Sequence, residues 1–133
     1  MIRAISRLVA AGAASLMILA LAPGTAPANT PSASFQFVNQ AQLQENGSVN
    51  VTLVYQCLPG FSGTDGTVVV TVEQPGASGL AIYRPAKCDD QKHRLTLDVA
   101  PGPFTAGSAA AIGQVINDNG SSHAEKQAEL TIR

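Results

Sequence analysis

Tryptophan is absent from this 133-residue chain, cysteine occurs twice, and Phe and Tyr together number six. So few rings leave a domain of Val and Ala, which fits either a thin packed core or a cleft between layers. Charged residues make up only 13%, with no block of like charge, so no segment is held open by self-repulsion. No clustered basic stretch is present, which sets aside nucleic acid and anionic membrane as partners. No apolar run reaches the ~20 residues needed to cross a bilayer.

The first residues nevertheless differ from the rest. Arg3 and Arg7 precede an uncharged, mostly apolar run from Leu8 to Leu21, and Ala26-Pro27-Ala28 is a small-x-small site of the kind a signal peptidase accepts. Small residues and prolines follow the run instead of a charged stop. The pattern predicts a signal peptide over residues 1–28 and a secreted, extracellular domain over 29–133, free of the membrane once processed. Ala20-Leu21-Ala22 offers a second cut, and a retained N-terminal anchor is the competing reading. Removing residues 1–28 takes away Arg3 and Arg7 and leaves six basic residues against nine acidic, a formal net of −3.

Cys57 and Cys88 both lie in the exported part, where a disulfide is the economical use of an isolated pair. Thirty-one positions apart, they supply two of the usual four zinc ligands, and neither sits in a known nucleophile signature. Cys57 ends the clearest strand pattern of the chain. Val49, Val51, Leu53, Tyr55 and Cys57 share one parity and Asn50, Thr52 and Gln56 the other, after the turn pair Asn46-Gly47.

The remaining segments repeat the same period. Ser34–Val38 carries Phe35 and Phe37 on one face, and 40–44 reads as an edge segment. Gly66–Gln74 is β-branched almost throughout and stops at Pro75-Gly76. Leu80–Arg84 is a short strand expected at a sheet edge because Pro85 follows. His93–Val99 sets Leu95, Leu97 and Val99 against Arg94, Thr96 and Asp98, and Pro101-Gly102-Pro103 ends it. Ser108–Ile116 and Ala124–Ile132 flank the hairpin pair Asn119-Gly120 and read as two antiparallel strands. Ser122-His123-Ala124-Glu125 also fits a capping box, so a helix competes for the last segment. About seven short strands with turns between them predict an all-β fold, an antiparallel immunoglobulin-like β-sandwich. It is not the antibody form, which needs a tryptophan and a differently placed second cysteine.

The chain resembles a group of small secreted actinobacterial proteins. The resemblance rests on Val51-Thr52-Leu53-Val54-Tyr55-Gln56-Cys57, on Cys88 before a strand, and on Pro101-Gly102-Pro103-Phe104-Thr105-Ala106-Gly107-Ser108-Ala109-Ala110-Ala111. It implies an immunoglobulin-like fold and secretion, and no assigned activity. A fainter resemblance is to the neocarzinostatin-type carriers, whose two disulfides this chain cannot match and whose binding motifs it lacks.

Chemistry-bearing clusters are sparse. Asp89, Asp90 and His93 could hold a metal ion, but without further ligands they read as a solvated turn beside the disulfide. His123 is expected to be exposed. Gly76-Ala77-Ser78-Gly79-Leu80 misses the final glycine of a nucleophile elbow. Asn46-Gly47-Ser48, Asn50-Val51-Thr52 and Asn119-Gly120-Ser121 fit a glycan acceptor pattern that a bacterial producer would leave unused. The expectation is therefore a monomeric, non-catalytic module, without cofactor or metal, that binds an extracellular protein or cell-wall partner. The alternative is a small-ligand carrier with a cleft between its sheets.

Overall fold

The computed structural model describes residues 33–60, 63–118 and 122–133, and the segment read as a signal peptide lies outside them. Eight strands follow in order: β1 Ser34–Phe37, β2 Gln40–Leu43, β3 Val49–Gln56, β4 Asp65–Gln74, β5 Ala77–Lys87, β6 His93–Gly102, β7 Gly107–Asn117 and β8 His123–Ile132. No helix occurs among the described residues.

The period-two pattern of β3 makes it the trunk. Val49, Val51, Leu53 and Tyr55 are buried, while Asn50, Thr52, Val54 and Gln56 are half-buried on the other face. One side of β3 pairs antiparallel with β1 and, further along, with β2; the other pairs with β6 from Val49↔Val99 to Tyr55↔His93. The opposite wall is built on β4. It lies between β5 and β7, and β8 pairs on the far side of β7.

Two strands belong to both walls. β2 gives Gln42 and Leu43 to β3, but Gln40 and Ala41 run parallel to Thr131 and Ile132 of β8. β6 follows β3 as far as Val99 and then gives Ala100, Pro101 and Gly102 to Leu80, Gly79 and Ser78 of β5. These transfers close a ring β2–β3–β6–β5–β4–β7–β8 of seven strands, mixed because β2 and β8 are parallel, with β1 laid against β3 as a branch.

The all-β class is as expected, but an open, purely antiparallel sandwich is not what forms. Side-chain alternation reports which face a residue takes; it does not report which neighbour each end of a strand will choose, and here two strands choose two each. The segment 40–44 is accordingly no edge, since β2 is one of the closing strands. Leu80–Arg84 grows into an 11-residue strand. Pro85 is accommodated at a bulge, where Arg84 and Pro85 stand opposite Thr67 alone and the missing N–H interrupts no ladder. β6 likewise runs past the expected stop to Gly102. The last segment is strand β8, in register with β7 from Gly107↔Ile132 to Ile116↔His123, so the helix alternative fails.

The interior is filled from both walls by Val51, Leu53 and Tyr55 on one side and Val68, Val70, Val115 and Leu130 on the other. Phe35 and Phe37 stand edge to face, centroids 5.1 Å apart, over Gly113 of β7. A side chain at 113 would overlap both rings. Gly113→Ala is therefore expected to cost about 1–3 kcal/mol. Urea unfolding checks this; an unchanged midpoint would mean that the rings move aside freely.

Candidate functional site

Cys57 and Cys88 are bonded, as expected of the chain's two cysteines, and both are fully buried. The bond ties the end of β3 to the residue after β5. Neighbouring polar contacts hold the same junction. The Lys87 N–H donates to the Tyr55 hydroxyl at 2.9 Å, the Asp90 N–H donates to the Cys57 carbonyl at 2.9 Å, and Gln56 Nε2 reaches the Asp90 carbonyl and carboxylate, each at 3.0 Å. On its other side, the Leu58 N–H donates to Ser122 Oγ at 3.2 Å and the Leu58 carbonyl accepts from Asn117 Nδ2 at 3.1 Å. Asn117 and Ser122 are buried, where an unpaired polar group would cost roughly 1–3 kcal/mol, so the loop after β3 and the β7–β8 hairpin are fixed together. Gly66 passes directly beneath Cys88; a Cβ there would lie 2.8 Å from the Ile116 carbonyl oxygen.

The polar cluster beside the bond separates into two unrelated contacts. Asp89 and His93 meet, with Nε2 2.7 Å from Oδ1, whereas Asp90 turns to Gln56. Among the described residues no group of three or more His, Cys, Asp or Glu side chains is placed to hold a metal ion. The His93 hydrogen bond, joined by the Gln91 N–H, holds the Asp89 carboxyl below its ordinary range. Burial pushes the Tyr55 phenol above its ordinary value, partly offset by the Lys87 N–H. His123 is exposed at the start of β8 across from Ile116, and Ser78 lies exposed in β5 opposite Glu73.

What sequence reasoning missed is the outward face of β5–β4–β7. Leu80, Ile82 and Ile112 are 50%, 58% and 44% exposed, large apolar side chains where a solvated sheet face carries polar ones. Register brings them together: Thr71 lies between Leu80 and Ile112, and Val69 between Ile82 and Gln114. The signal was present in Val69, on the polar parity of β4, and in Ile112, on the parity opposite Ala111 and Val115. Beside Ile112 a surface depression of about 420 Å³ is lined by Ala110, Ala111, Ile112, Gln127, Ala128 and Glu129. A second, polar one of about 620 Å³ lies at the β2–β3 turn, between Glu45, Asn46, Ser48 and Asp98. Neither is an enclosed cavity.

These features define an all-β barrel module with one buried disulfide and an apolar outer face. No protein-family model and no curated protein matches the chain.

Two outcomes follow from the junction. Replacing Cys57 and Cys88 together by serine returns loop entropy to the unfolded chain and should lower stability by about 3–4 kcal/mol, read from chemical unfolding; a difference under ~1 kcal/mol would leave the noncovalent contacts as the true tie. Because the folded carboxyl of Asp89 is depressed, its contribution is present above the unfolded carboxylate range, about pH 4, and is lost as pH falls through the folded value. The melting-temperature gap between wild type and Asp89→Asn should be open at neutral pH and close on the acid side. A gap independent of pH would contradict the pairing.

Proposed function

We propose that the chain is a secreted, non-catalytic binding module that docks another extracellular or wall-associated protein through the outer face of β5–β4–β7. The observation that carries this reading is the patch of Leu80, Ile82 and Ile112, which the register places about Thr71 and Val69 on one sheet face and leaves in water. Contiguous exposed apolar surface rimmed by polar residues is characteristic of protein contact sites, since leaving each such side chain wet forgoes about 1.5–3 kcal/mol of burial. Export is supported by the Arg3/Arg7 start, the run to Leu21 and the Ala26-Pro27-Ala28 site, and by a disulfide, which persists in oxidising surroundings. The immunoglobulin-like reading draws support from two facing walls, β1–β3–β6 and β8–β7–β4–β5, with β2 divided between them. A formal net of −3 on residues 29–133 favours protein over nucleic acid as the partner.

The carrier reading has one observation in its favour, the depression of about 420 Å³ beside Ile112, which would shelter a ligand against the outside of the sheet. One comparison separates the two. Protein from culture medium, beginning at Asn29, is used to capture its partner from the producer's surface fraction, with wild type and Ile82→Glu side by side. The module reading expects capture to fall about tenfold or more while the fold is kept. Equal capture by both proteins would overturn it, and an environment-sensitive dye displaced by a small extracted molecule would favour the carrier.

A further inference from the structure

We infer that the chain pairs with a second copy of itself edge to edge along β6, about a two-fold axis that passes between the two Thr96 residues and stands normal to the sheet. The inference goes beyond the outer-face reading and does not rest on it. β6 has β3 on one side from His93 to Val99, and β5 joins its other side only at Ala100, Pro101 and Gly102. Past Leu80, β5 continues beside β4 in the opposite wall, so among the described residues no strand covers that side of β6 from His93 to Val99. Alternation decides which backbone groups are left there. The Val38 N–H donates to the Thr52 carbonyl, so the even-numbered residues of β3 face β1 and the odd-numbered ones face β6. His93, Leu95, Leu97 and Val99 therefore hold the β3 ladder, and Arg94, Thr96 and Asp98 turn their N–H and C=O groups away from it. Ala100 and Gly102 share that parity and bond β5, while Pro101 between them, which has no N–H, needs none there.

This uncovered stretch is its own complement. Laid antiparallel with Thr96 against Thr96, residues 93–99 of one copy run alongside 99–93 of the other, so the whole stretch is covered. Arg94 of each copy then faces Asp98 of the other. With the Thr96 pair these make three hydrogen-bonded pairs, each exchanging two backbone bonds. Within one chain Arg94 and Asp98 stand about 13 Å apart along β6 and cannot reach one another. Both are exposed and neither is ion-paired among the described residues; the Asp98 carboxylate accepts the Ser48 hydroxyl. On the inward face, Leu95 of each copy meets Leu97 of the other in a closely spaced pair. Both leucines share the parity of buried Val99 yet are only half-buried in the single chain, so pairing covers apolar surface that the fold leaves wet. The turn into β6 leaves this side open, because the Asp90 N–H donates to the Cys57 carbonyl and the Asp90 carbonyl accepts from Gln56 Nε2, which hold the turn on the β3 side. The usual guards of a strand edge are missing too: no proline, lysine or bulge interrupts 93–99, in contrast to β5 at Pro85. One strand pair is a small contact, which belongs with weak, reversible association in place of the monomer expected from the sequence.

Sedimentation equilibrium of the secreted chain from about 1 µM to about 1 mM is expected to show a reversible monomer–dimer equilibrium. Arg94→Asp alone and Asp98→Arg alone each set like charges opposite one another twice and should raise the dissociation constant about tenfold or more. An equimolar mixture of the two variants should return to near the wild-type value as a mixed dimer, because both pairs are then opposite in sign again. Amide hydrogen exchange reads the register independently. The N–H groups of Arg94, Thr96 and Asp98 should exchange more slowly as concentration rises, while those of Leu95 and Leu97, bonded to β3, stay protected throughout. A wild type that stays monomeric, a dimer indifferent to either charge reversal, a mixture that fails to recover, or exchange at those three amides that ignores concentration would each overturn the proposal. The outer-face reading is decided separately by whether Ile82→Glu loses its capture of surface-fraction protein, since Ile82 takes no part in the β6 edge.

Discussion

The bond between Cys57 and Cys88 fixes the end of β3 against the turn that enters β6, and the rest of the barrel is laid out from β3. Constraint and strand reinforce each other. The parity that buries Val49, Val51, Leu53 and Tyr55 also delivers Cys57 to the interior, and Tyr55 spans the core to meet Lys87, the residue before Cys88. A covalent and a polar tie therefore hold the same two segments. For a domain stabilised by ~5–15 kcal/mol in total, a cross-link worth about 3–4 kcal/mol is a large fraction, which suits a core with no tryptophan.

Closure answers a second physical demand. Strand edges left open are templates for unwanted pairing, and the chain reduces them by letting β2 and β6 each change partner part-way along. Where β5 departs from β6, beyond Leu80, the bulge at Arg84 and Pro85 interrupts a regular edge and two basic side chains guard it. Small residues permit the tight approaches this requires, Gly113 beneath Phe35 and Gly66 beneath Cys88.

Much of this was legible from period-two alternation. The faces of β3, β4 and β6, the disulfide, and the β7–β8 hairpin follow from residues such as Val68, Val70 and Val72 or Leu130 and Ile132, because burial demands one parity and nothing else in a strand does. Partner choice was not legible. Nothing in Gln40–Leu43 or Ala100–Gly102 says that one end belongs to a different wall, since that depends on the twist of the whole sheet. The outer face escaped notice because Val69, Leu80, Ile82 and Ile112 come from three strands, and only the register sets them side by side.

The molecule is divided between an inward parity that holds the fold and an outward parity on β5–β4–β7 that is left in water. Denaturant unfolding of a chain carrying Leu80→Ser, Ile82→Ser and Ile112→Ser together, at concentrations where it is monomeric, tests that division most directly. Surface changes of this kind usually stay within about 0.5 kcal/mol each, so the prediction is a midpoint close to wild type with an unchanged slope. A loss of several kcal/mol would show that these side chains belong to the core, and would contradict the account.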